Sequence, residues 1–203
     1  MFIRIQTLVY EFAGGSSLSH LPAGSLEDNW REASENSINL LFSRDPERHR
    51  SFLHFLRSGA WGLFLARDGQ WICYGWCAPP QILNPPHLPG WARSLGAHWI
   101  FYCHTREEFR RQGNYRRLLA RLVDLVRSRT ENPLILCDTL PDNFASRSVV
   151  LQSGFAARGV IDAYHLRVPL LGGLTIGGHW QQKQPHRPSM TIYLSGARQT
   201  ASR

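Results

Sequence analysis

Residues 98–119 read HWIFYCHTREEFRRQGNYRRLL, and the fold turns on how this stretch divides. His98 to His104 is aromatic and apolar, and the charged run Thr105-Arg106-Glu107-Glu108 stops it, which predicts a buried strand. From about Gly113 to Ser128 the pattern changes period. Leu118, Leu119, Leu122, Leu125 and Val126 fall on one side of a helix. Between strand and helix lies Phe109-Arg110-Arg111-Gln112-Gly113-Asn114-Tyr115-Arg116. A helix start leaves several backbone N–H groups without partners and with partial positive charge. A glycine there lets an anion approach the main chain. Arg110, Arg111, Arg116 and Arg117 add charge, although arginine in a first turn opposes the helix dipole. The stretch reads either as a phosphate cradle or as an ordinary strand-to-helix turn with a solvated basic first turn.

Working outward, WGLFLA (61–66) and QWICYGWC (70–77) flank Arg67-Asp68-Gly69, which predicts a hairpin. Residues 78–96 are rich in proline and glycine and read as a long loop. LILCD (134–138) reads as a buried strand, Asn143 as the start of a short helix ending before Gly154, and 155–168 as a strand. The alternation of strand and helix is an α/β signal with at least one parallel crossover.

Towards the N-terminus, residues 3–11 alternate and predict an edge strand, and 13–25 a loop. A helix is expected from Ser25, with Asp28 in a weak capping box. A second helix has stronger signals: Asp45 as N-cap, Pro46 at the first position, Phe52, Leu53, Phe55 and Leu56 as its stripe, and Gly59 as its end. Residues 1–170 are expected to form one domain, and 171–203, rich in glycine, a partly mobile extension in which 191–194 adds an edge strand.

The 203 residues carry a formal net charge of +8. Such a balance suits nucleic acid, anionic lipid or a polyanionic cofactor, or only a solvated basic surface. No nucleic-acid motif appears, so that partner ranks last. No run approaches the ~18 apolar residues of a membrane span, and the N-terminus lacks the pattern of a signal peptide. Cys73, Cys77, Cys103 and Cys137 lie in apolar runs without a CxxC pair and read as buried free thiols in a reducing cytoplasm. No metal is expected, since His179 and His186 lack ligand spacing.

Arg110-Arg111-Gln112-Gly113-Asn114-Tyr115 resembles the (Gln/Arg)-x-x-Gly-x-(Gly/Ala) signature of the GCN5-related N-acetyltransferases. Asn143, Ser146 and then Gly154-Phe155 resemble a second feature of that family, in the same order along the chain. The likeness covers roughly residues 60–168. It implies an α/β (α+β) fold: a single domain with a mixed central sheet, two splayed parallel strands and flanking helices. It further implies transfer of an acetyl or other acyl group from acyl-CoA to a primary amine, on a small molecule or a peptide. A homodimer is compatible with it. The alternative is a non-catalytic acyl-CoA-binding module.

Carried over by position, the amides around 111–116 hold the CoA diphosphate, so Arg110, Arg111, Gln112, Gly113, Asn114, Tyr115 and Arg116 are cofactor-binding candidates. Strand 98–105 pairs with the pantetheine arm, with Thr105 where the family usually has an apolar residue. Asn143 and Ser146 contact that arm. Two departures stand out. Tyr115 replaces the small last residue of the signature, and its side chain must point away from the phosphates. Val150 stands where the family often has a tyrosine acid.

Acyl transfer needs a neutral amine. On a regular strand, residues 99, 101, 103 and 105 share one face, from which the family usually draws its base, and here they are Trp, Phe, Cys and Thr. His98 and His104 are the catalytic candidates from the other face, provided that a bulge re-aims one of them. Otherwise they are hydrogen-bonded structural histidines.

Overall fold

In the computed structural model the described residues are 2–14, 28–82, 85, 88–168, 172–180 and 191–192. Local signals decide several elements. The Asp45 carboxylate accepts from the Arg48 amide at 3.0 Å and Pro46 takes the first position, so α2 (Pro46–Arg57) begins where both residues direct it. Asp68 and Gly69, with φ of 50° and 72°, turn the chain between β3 (Trp61–Arg67) and β4 (Gln70–Ala78). β5 (His98–Thr105), α3 (Asn114–Arg129), β6 (Ile135–Thr139), α4 (Phe144–Gln152) and β7 (Phe155–Val168) follow as the sequence predicts.

Three elements differ. The segment after Asp28 is a short strand, β2 (Asn29–Glu32), not a helix. The first helix, α1 (Glu35–Phe42), starts later, on a capping box between Ser34 and Ser37. The part of the expected helix before Asp28 lies outside the described residues, as does most of the 13–25 loop. The N-terminal strand β1 (Phe2–Phe12) is not an edge: β6 pairs with it on one side and β7 on the other. Thr7, Val9 and Tyr10 are buried there, and Asp162 of β7, fully buried, is satisfied by Arg4 and Gln6. Beyond β7, β8 (Gly172–Trp180) extends the sheet through a glycine-rich stretch with no strand signature, and β9 (Thr191–Ile192) adds a last rung.

The result is one nine-stranded sheet in the order β2-β3-β4-β5-β6-β1-β7-β8-β9. Among the described residues every pairing is antiparallel except β5 with β6. α1 and α2 cover one face, where Ile38, Phe42, Phe52 and Phe55 pack on Phe64, Tyr74 and Trp76. α3 and α4 cover the other, where Leu118, Leu119, Leu122 and Val150 pack on Leu65, Cys73, Ile100 and Cys137. No helix among the described residues is long and apolar enough to cross a membrane.

Phe52 anchors the first face. It is fully buried, with its ring 4.7 Å from that of Phe42, 4.8 Å from Tyr74 and 5.3 Å from Trp76. Phe52→Ala is expected to cost about 3–5 kcal/mol of unfolding free energy, read as a lowered urea midpoint with unchanged slope.

Candidate active site

β5 and β6 pair only at His98 with Ile135, Trp99 with Leu136 and Ile100 with Cys137. Past that point each strand keeps its other neighbour. β5 runs on beside β4 to Thr105, and β6 runs on beside β1 to Thr139. The sheet therefore opens between them, with its apex at Ile100 and Cys137. On the α3 face, Thr105 and Thr139 stand at the ends of the two strands, and both hydroxyls are buried without a hydrogen-bond partner among the described residues. A buried hydroxyl with no partner is costly, and each of the two parting strands carries one at its open end.

The connection from β5 to α3 leads down from this gap. Phe109 packs into the core beneath α3, and the turn then passes through left-handed geometry twice, at Arg111 with φ 61° and at Gly113 with φ 75°. Gly113 is the N-cap of α3 and makes no side-chain cap. The Arg110 amide donates to Glu107. From Arg111 to Tyr115 the amides have no acceptor among the described residues. Successive free N–H groups at a helix start form a concave anion site.

Side chains brace this loop. Asn114, nearly fully buried, donates from Nδ2 to the Phe109 carbonyl at 2.9 Å and accepts from Arg117. Gln112 donates to the Glu108 carbonyl and Arg110 to that of Thr105. Gln112 and Asn114 therefore brace the turn, while Arg111 is exposed to solvent. Tyr115 points away from the free amides. Its ring packs on the core beneath the gap, and its hydroxyl meets the Ser146 hydroxyl at 3.1 Å, tying α3 to α4. Asn143 caps α4 through the Ser146 amide at 3.1 Å.

The two histidines separate. His98 lies at the paired end of β5, buried, with Nε2 3.2 Å from Thr130 Oγ1 and its ring beside Trp61. The structure does not bring it to the gap. His104 is at the open end, and a bulge decides where it points. Trp76 pairs with Phe101 but Tyr74 with His104, so β5 carries one extra residue here, and Tyr102 adopts φ 49°. Strict alternation fails at this point. His104 joins Trp99 and Phe101 on the α1/α2 face, stacked on Tyr74 at 5.6 Å, while Cys103 turns to the α3 face. The sequence carries one signal for this, Gly75: a Cβ there would lie 2.8 Å from Cys103 Sγ.

Neither ring nitrogen of His104 has a hydrogen bond among the described residues. Burial, and then the charges of Arg48 and Arg110, hold its pKa below the ordinary imidazole value, so it is neutral at pH 7. Burial pushes the Cys103 thiol up to about 12, which keeps it from acting as a nucleophile. One acid at the gap has no sequence signature. Asp138 follows Cys137, the last residue of β6 that pairs with β5, and accepts from the Trp99 indole at 2.7 Å across the apex, on the His104 face.

No protein-family model matches the sequence, and no curated protein does either. Solved structures do match its fold. A GNAT-family protein of Novosphingobium aromaticivorans superposes with a TM-score of 0.53 over 79% of this chain at 13% identity. A GCN5-related N-acetyltransferase-like protein of Streptococcus suis gives 0.53 over 80% at 14%, and a GNAT-family acetyltransferase of Colwellia psychrerythraea 0.51 over 77% at 13%. The chain spans 63%, 61% and 54% of the lengths of those three. A mixed sheet that parts between two parallel strands above a glycine turn thus places the chain in the fold of the GCN5-related N-acetyltransferases.

Proposed function

We propose that the chain is an N-acyltransferase that moves an acetyl or related acyl group from acyl-CoA to a primary amine. The observation that carries this reading is the gap between β5 and β6 together with the amides of residues 111–115, which follow the open end of β5 and have no acceptor among the described residues. A diphosphate in the cradle and a thioester in the gap would use both features at once. Arg110, Arg111 and Arg116 add positive charge around the diphosphate. The Thr105 and Thr139 hydroxyls offer partners to the amides of the pantetheine arm. The gap passes through the sheet, so the donor enters from the α3 face and the acceptor meets it on the His104 face. Neutral His104 takes the proton that the attacking nitrogen must lose. Most of the rate advantage in such a site comes from holding two reactants together.

Calorimetry with CoA, followed by thiol release from acetyl-CoA with a panel of amines, tests the reading. The expected dissociation constant is on the order of 1–100 μM, in the usual range for enzyme substrates. Absence of CoA binding overturns the proposal. Tight binding without turnover on any amine makes the chain an acyl-CoA-binding module instead.

A further inference from the structure

We propose that the acceptor carries a carboxylate close to its amine, as an amino acid does, and that Arg48 binds that carboxylate with help from the Tyr74 and Tyr102 hydroxyls. The inference rests on the acyl-transfer reading and adds the chemical class of the acceptor to it. It starts from a group of rings on the α1/α2 face. Tyr74 of β4 stacks with two side chains of β5. Its ring lies 6.0 Å from that of Tyr102 and 5.6 Å from that of His104, at 23° and 22° to them. Trp71 stands next to both Tyr74 and His104, with ring centres 5.3 and 5.9 Å away. Tyr102 and His104 belong to the part of β5 that has left β6. Tyr102 is also the residue with φ 49°. A bulky side chain in left-handed geometry is held there by its surroundings, and such positions cluster at functional sites.

Arg48 reaches these rings from the first turn of α2. Its guanidinium carbon lies 5.3 Å from the Trp71 ring centre and 6.0 Å from that of Tyr74, so Arg48 and His104 border the same two rings. Arg48 Nε donates to the Tyr74 hydroxyl at 3.1 Å, and the Asp45 carboxylate holds Nη1. Nη2 has no acceptor among the described residues. The Tyr74 oxygen accepts from Arg48, and its own hydrogen finds no acceptor there either. The Tyr102 hydroxyl makes no hydrogen bond among the described residues. A guanidinium has donors and no acceptor, so a guanidinium and two phenols on one wall are short of an anion. The second arginine at Trp71 is the contrast. Arg106, also 5.3 Å from that ring, has Nη1 on Gln70 and Nη2 on Glu108. Of the two, Arg48 keeps a terminal nitrogen open, and its side chain is 33% exposed, within reach of a ligand.

The class of anion follows from what Asp45 leaves. It occupies one terminal nitrogen of the guanidinium, so the full fork that pairs with a phosphate is not on offer. One open nitrogen flanked by phenols suits a singly charged carboxylate. The spacing follows from the shared rings. An acceptor whose nitrogen meets His104 must carry its anion only a few bonds away to reach Arg48. Free amino acids have that spacing. Polyamines and simple alkylamines have no anion to place there.

Thiol release from acetyl-CoA at pH 8 tests the proposal, with a panel of L-amino acids and β-alanine each compared with its amide. The amide keeps the amine and the shape and loses the negative charge. Its amine is less basic and more often neutral, so that bias runs against the expected result. kcat/KM should favour the carboxylates by about 10–100-fold, what a hydrogen bond to a charged group contributes, and mainly through KM. In Arg48→Gln the preference should collapse to within about threefold. In Tyr102→Phe, which loses one neutral donor, it should fall about three- to tenfold. CoA affinity by calorimetry, expected within about threefold of the parent, shows that each variant is folded. If Arg48→Gln does not fold, the preference of the parent and its decline in Tyr102→Phe decide. Equal or better use of the amides by the parent overturns the proposal. So does a preference that survives Arg48→Gln with CoA binding intact, which would leave Arg48 as no more than the partner of Asp45. CoA binding without thiol release to any amine removes the acyl-transfer reading and this inference together, whereas turnover confined to amines that lack a carboxylate removes this inference alone.

Discussion

Gly113→Val is expected to weaken CoA binding at least about 100-fold while the fold survives. Gly113 has φ 75° and ψ 1°, at the junction of the cradle and α3. A β-branched side chain in that region is strained by roughly 1–2 kcal/mol, and the chain relieves the strain by swinging out of it. That movement re-aims the amides on either side, those of Gln112 and Asn114. Hydrogen bonds from amides to a charged phosphate contribute about 1.5–3 kcal/mol each, so losing two exceeds the ~2.7 kcal/mol that corresponds to 100-fold. Gly113→Asn is the control. Asparagine tolerates left-handed geometry, and its affinity should stay within about tenfold of the parent. Calorimetry with CoA reads both variants, and circular dichroism checks that α3 is retained. An unchanged dissociation constant for Gly113→Val would mean that these amides do not hold the diphosphate.

The elements around this turn were legible because their causes are local. Asp45-Pro46 fixes the start of α2, Asp68-Gly69 the hairpin, and the leucine stripe from Leu118 the length of α3. What was not legible depends on distant partners. Residues 3–11 alternate as an edge strand would, yet become interior because β6 and β7 pair with β1 on its two sides. The stretch 172–180, with four glycines, has no strand propensity of its own and becomes one by pairing with β7. Asp138 has no motif around it, and only the folded sheet sets it opposite Trp99. Asn143, Ser146 and Tyr115 appear in the sequence as separate positions. That the last two touch is a property of how α3 and α4 lie on one face.

The opening itself depends on the N-terminal strand. β6 is only five residues long, and past Cys137 its sole strand partner among the described residues is β1, through Asp138 with Val9 and Thr139 with Leu8. Without β1 the second lip of the gap would have no ladder to hold it away from β5. The first lip is held differently. β4 follows β5 past the apex, and Gly75 leaves room for the bulge that turns Cys103 to one face and His104 to the other. One extra residue in one strand thus sends a thiol to the α3 face and an imidazole to the α1/α2 face.

His104→Gln is the second change expected to have a large effect, a fall in kcat of about 10²–10⁴-fold with little change in CoA affinity, as for a lost general base. Glutamine keeps much of the stacking on Tyr74 but cannot take a proton. The pH profile separates this role from packing. The active form of His104 is the neutral one, and protonation switches it off as pH falls. Burial first, then Arg48 and Arg110, disfavour the imidazolium, so the acidic limb of kcat/KM should lie below the ordinary value of 6.5. Arg48, which also bonds the Tyr74 hydroxyl at 3.1 Å, provides the sign test. Arg48→Gln removes a positive charge that opposes protonation, so the limb should move to higher pH, towards 6.5. In His104→Gln the limb should be absent and the residual rate flat through that range. A limb that persists in His104→Gln, or that moves to lower pH in Arg48→Gln, assigns the proton transfer to another group, and Asp138 at the apex is the next to replace.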